Sequence, residues 1–178
     1  MTKFLTQEKA KWIDPLCGDF STFAHAHQLP PARANSGADW TIWLLIGGRG
    51  AGKTRAGAEW VRSLTLADPK ARIALIGETE HEAREVMVQG VSGVLAVHRH
   101  DEKPEWNATR RLLQWPNGAV AQVFSAEDPD SLRGPQFSAA WLDELAKWRR
   151  ADEAAPINAW RSPREPLDAF ATFEGFEN

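Results

Sequence analysis

Apolar residues along this chain fall into short runs separated by amphipathic or glycine-rich stretches. Thr41 to Ile46 is a β-branched and apolar run that ends in glycine, the pattern of a strand buried on both faces. After the glycines, Lys53 to Leu66 places Ala56, Trp60 and Leu64 at four-residue spacings, which predicts an amphipathic helix stopped near Asp68-Pro69. Arg72 to Ile76 reads as a second strand, and Glu80 to Met87 as helical until Gly90 and Gly93 weaken the pattern. Strand, helix and strand in that order form a βαβ unit with parallel neighbours. Arg111 to Trp115 and Ala119 to Phe124 flank Pro116-Asn117-Gly118, an Asn-Gly hairpin signal that predicts an antiparallel insertion. Phe137 to Leu142 is a third core strand, ended by Asp143-Glu144. The expected fold class is α/β, a mostly parallel sheet flanked by helices.

The flanks read differently. Residues 1–39 form a lead-in segment whose helical-looking stretches are broken by Pro15, Gly18 and Pro30-Pro31, followed by the polar link Asn35-Ser36-Gly37. Residues 40–153 hold the core pattern. From Ala154 onward Pro156, Pro163 and Pro166 interrupt a stretch whose apolar residues follow neither period, so 154–178 is expected to be an irregular tail.

Composition narrows the function classes. The 178 residues are 43% hydrophobic and 25% charged, with a net charge of −3, which fits one ordinary globular domain. The longest uninterrupted apolar run, Ile42 to Ile46, is far shorter than the ~20 residues of a spanning helix, so the expectation is a cytoplasmic protein with no membrane partner. A single cysteine, Cys17, excludes an internal disulfide and Cys-rich zinc sites. The near-neutral balance argues against non-specific DNA binding by a basic face. Arg110-Arg111 and Arg149-Arg150 read as solvated surface, as do the pairs His25/His27 and His98/His100, which lack a third metal ligand. Nine tryptophans stand beside no tyrosine.

The candidate chemistry lies at the ends of the predicted strands. Gly47-Gly48-Arg49-Gly50-Ala51-Gly52-Lys53-Thr54 fits G-x-x-x-x-G-K-[ST], the phosphate loop of P-loop NTPases. Small residues let backbone N–H groups converge on an anion at the positive end of the following helix. Lys53 is then placed for the β and γ oxygens of ATP, and the Thr54 hydroxyl for Mg²⁺. Asp143 and Glu144 are a Walker B candidate, one carboxylate for the metal's water shell and one to orient and deprotonate the attacking water. Arg49, within the loop, and Arg133, in Ser131-Leu132-Arg133-Gly134, are candidates for the charge that develops on the transferred phosphoryl group. A GTPase would need Asn-Lys-x-Asp and Asp-x-x-Gly strings, and neither occurs; a small-molecule kinase is the remaining enzyme alternative.

Taken in order, the blocks from Trp43 to Arg62, Gly77-Glu78-Thr79, Ala83 to Val88, Pro104-Glu105-Trp106, Trp115 to Gly118, Ser131 to Phe137 and Trp141 to Trp148 resemble the large terminase subunit, the DNA-packaging motor of tailed phages and of phage-like gene transfer agents. The resemblance covers about residues 12–153. It implies an ATPase whose hydrolysis drives double-stranded DNA into a procapsid, acting as a homo-oligomeric ring on the portal together with the small terminase subunit. It also assigns Lys53 and Thr54 to phosphate and Mg²⁺, Asp143 to Mg²⁺, Glu144 to the catalytic water and Arg49 to the γ-phosphate, and it places Gln28, in His27-Gln28-Leu29-Pro30-Pro31, where the family reads the adenine edge. In the family a further strand with a Thr-Thr-Pro-like coupling motif and a nuclease domain follow; neither is read in this chain. That departure leaves a second expectation open, a truncated, nonhydrolysing remnant with a frameshift near Ala154.

Overall fold

The structure, a computed structural model, describes residues 19–149 and 168–174. Its centre is a seven-stranded sheet built from β1 (Ile42–Gly47), β2 (Arg72–Gly77), β3 (Glu105–Asn107), β4 (Leu112–Gln114), β5 (Val120–Ser125), β6 (Ala139–Leu142) and β7 (Asp168–Glu174), in the order β1-β7-β6-β2-β5-β4-β3. The five strands β1, β7, β6, β2 and β5 run parallel, and β4 and β3 add antiparallel at one edge. The mostly parallel α/β architecture expected from the sequence is therefore present.

The helices are unequal. The first, α1 (Phe20–Phe23), is one turn capped by the Asp19 carboxylate on the Ser21 N–H, and a 3-10 turn at Ala26–Gln28 follows it. α2 (Lys53–Ala67) is the long one; it starts at left-handed Gly52 and buries Ala56, Gly57, Trp60 and Val61 against the sheet. A short α3 (Glu80–Glu82), capped by Thr79, passes into π-helical turns over Ala83–Val88, and α4 (Val94–Val97) closes the same layer. The glycines that weaken the helical pattern have a packing reason. A Cβ on Gly90 or Gly93 would stand 2.5 or 2.8 Å from the carbonyl oxygens that end the π-helical segment.

Several expectations are corrected by the sheet. β1 and β2 are not neighbours, because β6 pairs with β2 and β7 is inserted between β6 and β1. The Asn-Gly hairpin exists, with Gly118 at φ +105°, yet it is no separate insertion, since its second strand is also a core strand paired parallel with β2. The tail does not stay irregular throughout. Asp168–Glu174 forms β7, registering Phe170 with Trp43 on one side and with Trp141 on the other.

That register explains much of the tryptophan content. Phe170, wholly buried, lies 4.4, 5.8 and 6.2 Å from the ring centres of Trp43, Trp60 and Trp141, so three elements pack on one aromatic centre. On the other face Ala74, Ile76, Phe124, Leu132, Ala140, Leu142 and Trp148 form a second cluster. His98 is another correction to the surface reading. It is buried, its Nδ1 lies 2.6 Å from the Val94 carbonyl, and its Nε2 accepts the Trp115 indole N–H at 2.8 Å. Those partners fix a neutral ring, and burial pushes its pKa down.

Candidate functional site

Parallel strands direct their C-terminal ends to one edge, and the candidate residues meet there. The turn after β1 needs two glycines in the left-handed region, Gly50 at φ +81° and Gly52 at φ +78°, so that the chain can wrap and enter α2. A Cβ on Gly47 would press on Ala51 at 3.0 Å, whereas Gly48 and Gly50 face open space. The result is a small-sided cradle at the N-terminus of α2, where the first helical N–H groups have no helical carbonyl to bond. Lys53 is buried at the centre of it. Its ammonium donates to the Gly47 and Gly48 carbonyls at 2.8 and 3.2 Å, a position from which it faces whatever the loop encloses.

The opposite wall comes from the end of β6. Asp143 is buried, and its Oδ1 accepts the Thr172 hydroxyl at 2.7 Å; the Thr172 oxygen accepts in turn from the Glu144 N–H at 2.8 Å. β7 thus ties both acidic residues down through one side chain. Burial pushes the Asp143 carboxyl above its usual range, the neighbouring Glu144 adds to the rise, and the Thr172 hydrogen bond and Lys53 oppose it. A buried carboxylate in that condition gains from a cation. Glu144 takes a left-handed conformation, φ +53°, and its Oε2 lies 2.8 Å from the Lys147 ammonium.

Thr54, Asp143 and Glu144 line a common cleft of about 100 Å³ with Gly77, Glu78 and Glu82. A wider groove of about 750 Å³ runs past it and is bounded by Arg49 to Arg55 on one side and by Glu85, Val91, Glu144 and Lys147 on the other. Among the described residues no cluster of three His, Cys, Asp or Glu side chains could cage a metal alone. One hydroxyl and one carboxylate beside an anion cradle are instead the donor set that suits Mg²⁺ carried with phosphates. The residues therefore fit that ion.

The structure brings Gly47, Gly48, Arg49, Gly50, Ala51, Gly52, Lys53, Thr54, Asp143 and Glu144 to this one edge, and it sets Gln28 against the loop. The Gln28 amide donates to the Ala51 carbonyl at 3.3 Å while its oxygen accepts the His25 N–H, and a Cβ on Gly52 would strike it at 2.1 Å. Phe20 supports the same segment by lying 5.5 Å from the Arg55 guanidinium. Arg133 is not brought in. It is well exposed on the 3-10 turn Pro129–Leu132 and its immediate sequel, paired with Asp130 at 3.1 Å, and it lines neither the cleft nor the groove. Sequence reasoning missed Thr172 because it stands in the tail. The signal was an eight-residue run free of proline and glycine, Leu167 to Glu174, between Pro166 and Gly175.

A family model described as the N-terminal part of the terminase large subunit, T4-like-virus type, matches residues 44–165, more than half of the chain. The chain belongs to the terminase large subunit family. The matched stretch runs past Ala154, and β7 stands in the sheet beyond it. Among solved structures, the large terminase ATPase domain of Thermus phage P74-26 shares 20% identity over 90% of this chain and 71% of that one, with a TM-score of 0.62. The N-terminal domain of the DNA packaging ATPase of bacteriophage phi29 shares 15% over 73% and 71%, with a TM-score of 0.55. The large terminase of a thermophilic bacteriophage, in complex with ATP-gamma-S, shares 14% over 74% and 32%, with a TM-score of 0.54. At these identities the likeness concerns the terminase fold, and the chain spans only part of each relative. No curated protein matches it. No helix among the described residues of this terminase chain is long and apolar enough to cross a membrane.

Proposed function

We propose that this terminase chain binds ATP with Mg²⁺ between the loop after β1 and the end of β6 and hydrolyses it, as the ATPase part of a DNA-packaging motor. The observation that carries the reading is the convergence of Lys53 and Thr54 with Asp143 and Glu144 at one sheet edge, along a small cleft and the groove beside it, from elements far apart in sequence. Lys53 and the loop N–H groups hold the phosphates, with Arg49 at the rim towards the terminal one. Thr54 and Asp143 would hold Mg²⁺, which when bound would supply charge neutralisation to the phosphates. Glu144 orients the attacking water and accepts its proton, and Gln28 reads the adenine edge from above the loop. Chemistry here rests on positioning and electrostatics, so the wall contributed by Thr172 matters as much as the carboxylates it fixes.

Double-stranded DNA, a portal and a small terminase subunit are the proposed partners, with a homo-oligomeric ring as the working assembly. Family membership supports that part; the net charge of −3 places DNA affinity in the assembly rather than in a basic face of one chain. Steady-state phosphate release tests the activity. Mg²⁺-dependent turnover by the chain, lost at least ~100-fold in Glu144→Gln, is the expected result for a general base. Turnover that survives Glu144→Gln in a folded sample contradicts the assignment.

A further inference from the structure

Glu144 sits in a turn that is fastened at four points. Its N–H donates to Thr172, the Lys147 N–H donates to the Glu144 carbonyl at 2.9 Å, the Trp148 N–H reaches the Leu145 carbonyl at 3.2 Å, and the Trp148 indole donates to the Asp143 carbonyl at 3.1 Å. This 3-10 turn, Leu145–Lys147, folds the Lys147 side chain back over the Glu144 carboxylate. The ammonium stands 2.8 Å from Oε2, an oxygen that is itself buried and receives no directed hydrogen bond. The contact is therefore a charge pairing without the angle of a hydrogen bond, easier to exchange than a directed one.

Lys147 is more exposed than Lys53. Its side chain is 49% exposed, against 23% for Glu144, and it lines both the cleft and the wider groove that Arg49 to Arg55 border. A four-carbon arm anchored there faces the same space as the loop. A terminal phosphate bound in that groove would carry more charge than one carboxylate and so compete for the ammonium. A diphosphate has nothing at that place.

Resting on the nucleotide reading above, we propose that Lys147 is a positioning residue that restrains Glu144 and is drawn off it by the γ-phosphate, so that the site tells a nucleoside triphosphate from a diphosphate and releases its base only for the former. Calorimetric titration of the full chain with ATP-gamma-S and with ADP, each with Mg²⁺, tests it. Lys147→Ala is expected to weaken ATP-gamma-S about tenfold and to leave ADP within about twofold, with Lys147→Arg restoring the preference. Glu144→Gln, which leaves Lys147 in place but removes its anionic competitor, is expected to tighten ATP-gamma-S without affecting ADP. Equal weakening of both nucleotides by Lys147→Ala, or no tightening in Glu144→Gln, overturns the proposal while nucleotide binding itself stands. A wild-type chain that binds neither nucleotide overturns the functional reading and this inference with it.

Discussion

Asp143 concentrates the physical conflict of the site in one side chain. Burial holds its carboxyl above the ordinary 3.8, so the folded chain takes up its proton before the unfolded chain does as pH falls. The folded state then binds more protons than the unfolded one, and stability falls as pH rises from about 3.8 through the raised value. His98 slopes the other way. Its pKa lies below 6.5 in the fold, so stability is lost as pH drops beneath that value. The two can be separated by difference. Asp143→Asn keeps an oxygen to accept the Thr172 hydroxyl and removes the charge, so in urea titrations between pH 4 and pH 8 the variant should gain on the wild type as pH rises. Parallel curves would mean that the Asp143 charge is not strained by its burial. Glu144 and Lys147 were both inside a recognisable motif, but their pairing was not legible in sequence, since it depends on a left-handed backbone at a glutamate that no local pattern signals.

At the level of elements, β7 decides the sheet. Its Phe170 touches β1, β6 and α2 at once, and Phe170→Ala is expected to cost about 3–5 kcal/mol in chemical denaturation. A loss below about 1 kcal/mol would show that β7 does not occupy that place. Gly57 on α2 makes a complementary test. A Cβ there would come within 2.3 Å of Trp141 and 2.7 Å of Phe170, so Gly57→Ala is expected to destabilise by about 1–3 kcal/mol, outweighing the ~1 kcal/mol that alanine contributes in a helix. A stabilised variant would contradict the close approach of α2 to β6 and β7. These elements also show what the sequence could and could not yield. β1, α2, β2 and the Asn-Gly hairpin are local patterns, and each lies within a residue or two of its expected place. The strand order is not local. Nothing in Arg72 to Ile76 says that β6 and not β1 will pair with it, and an alternation as short as Phe170–Thr172 is lost among three prolines.

For the molecule as a whole, the sheet is the device that unites the loop and the acidic pair. Residues 47 to 54 and 143 to 144 are about ninety positions apart in sequence, and they meet at one edge only because β7 spaces β1 from β6 and because all three strands end there. The candidate site was legible where a motif implies its own geometry, as the glycine loop does, and illegible where geometry comes from the fold, as for Arg133, which points elsewhere, and Thr172, which does not. The most direct test of the account is calorimetric titration of Mg²⁺ and ATP-gamma-S into the chain and into Lys53→Ala, with circular dichroism to establish that both are folded. Binding that requires Mg²⁺ and that falls by about 1.5–3 kcal/mol in the variant is expected from the loss of one charge-assisted contact. Undiminished affinity in a folded Lys53→Ala chain would contradict the assignment of the groove to a nucleotide.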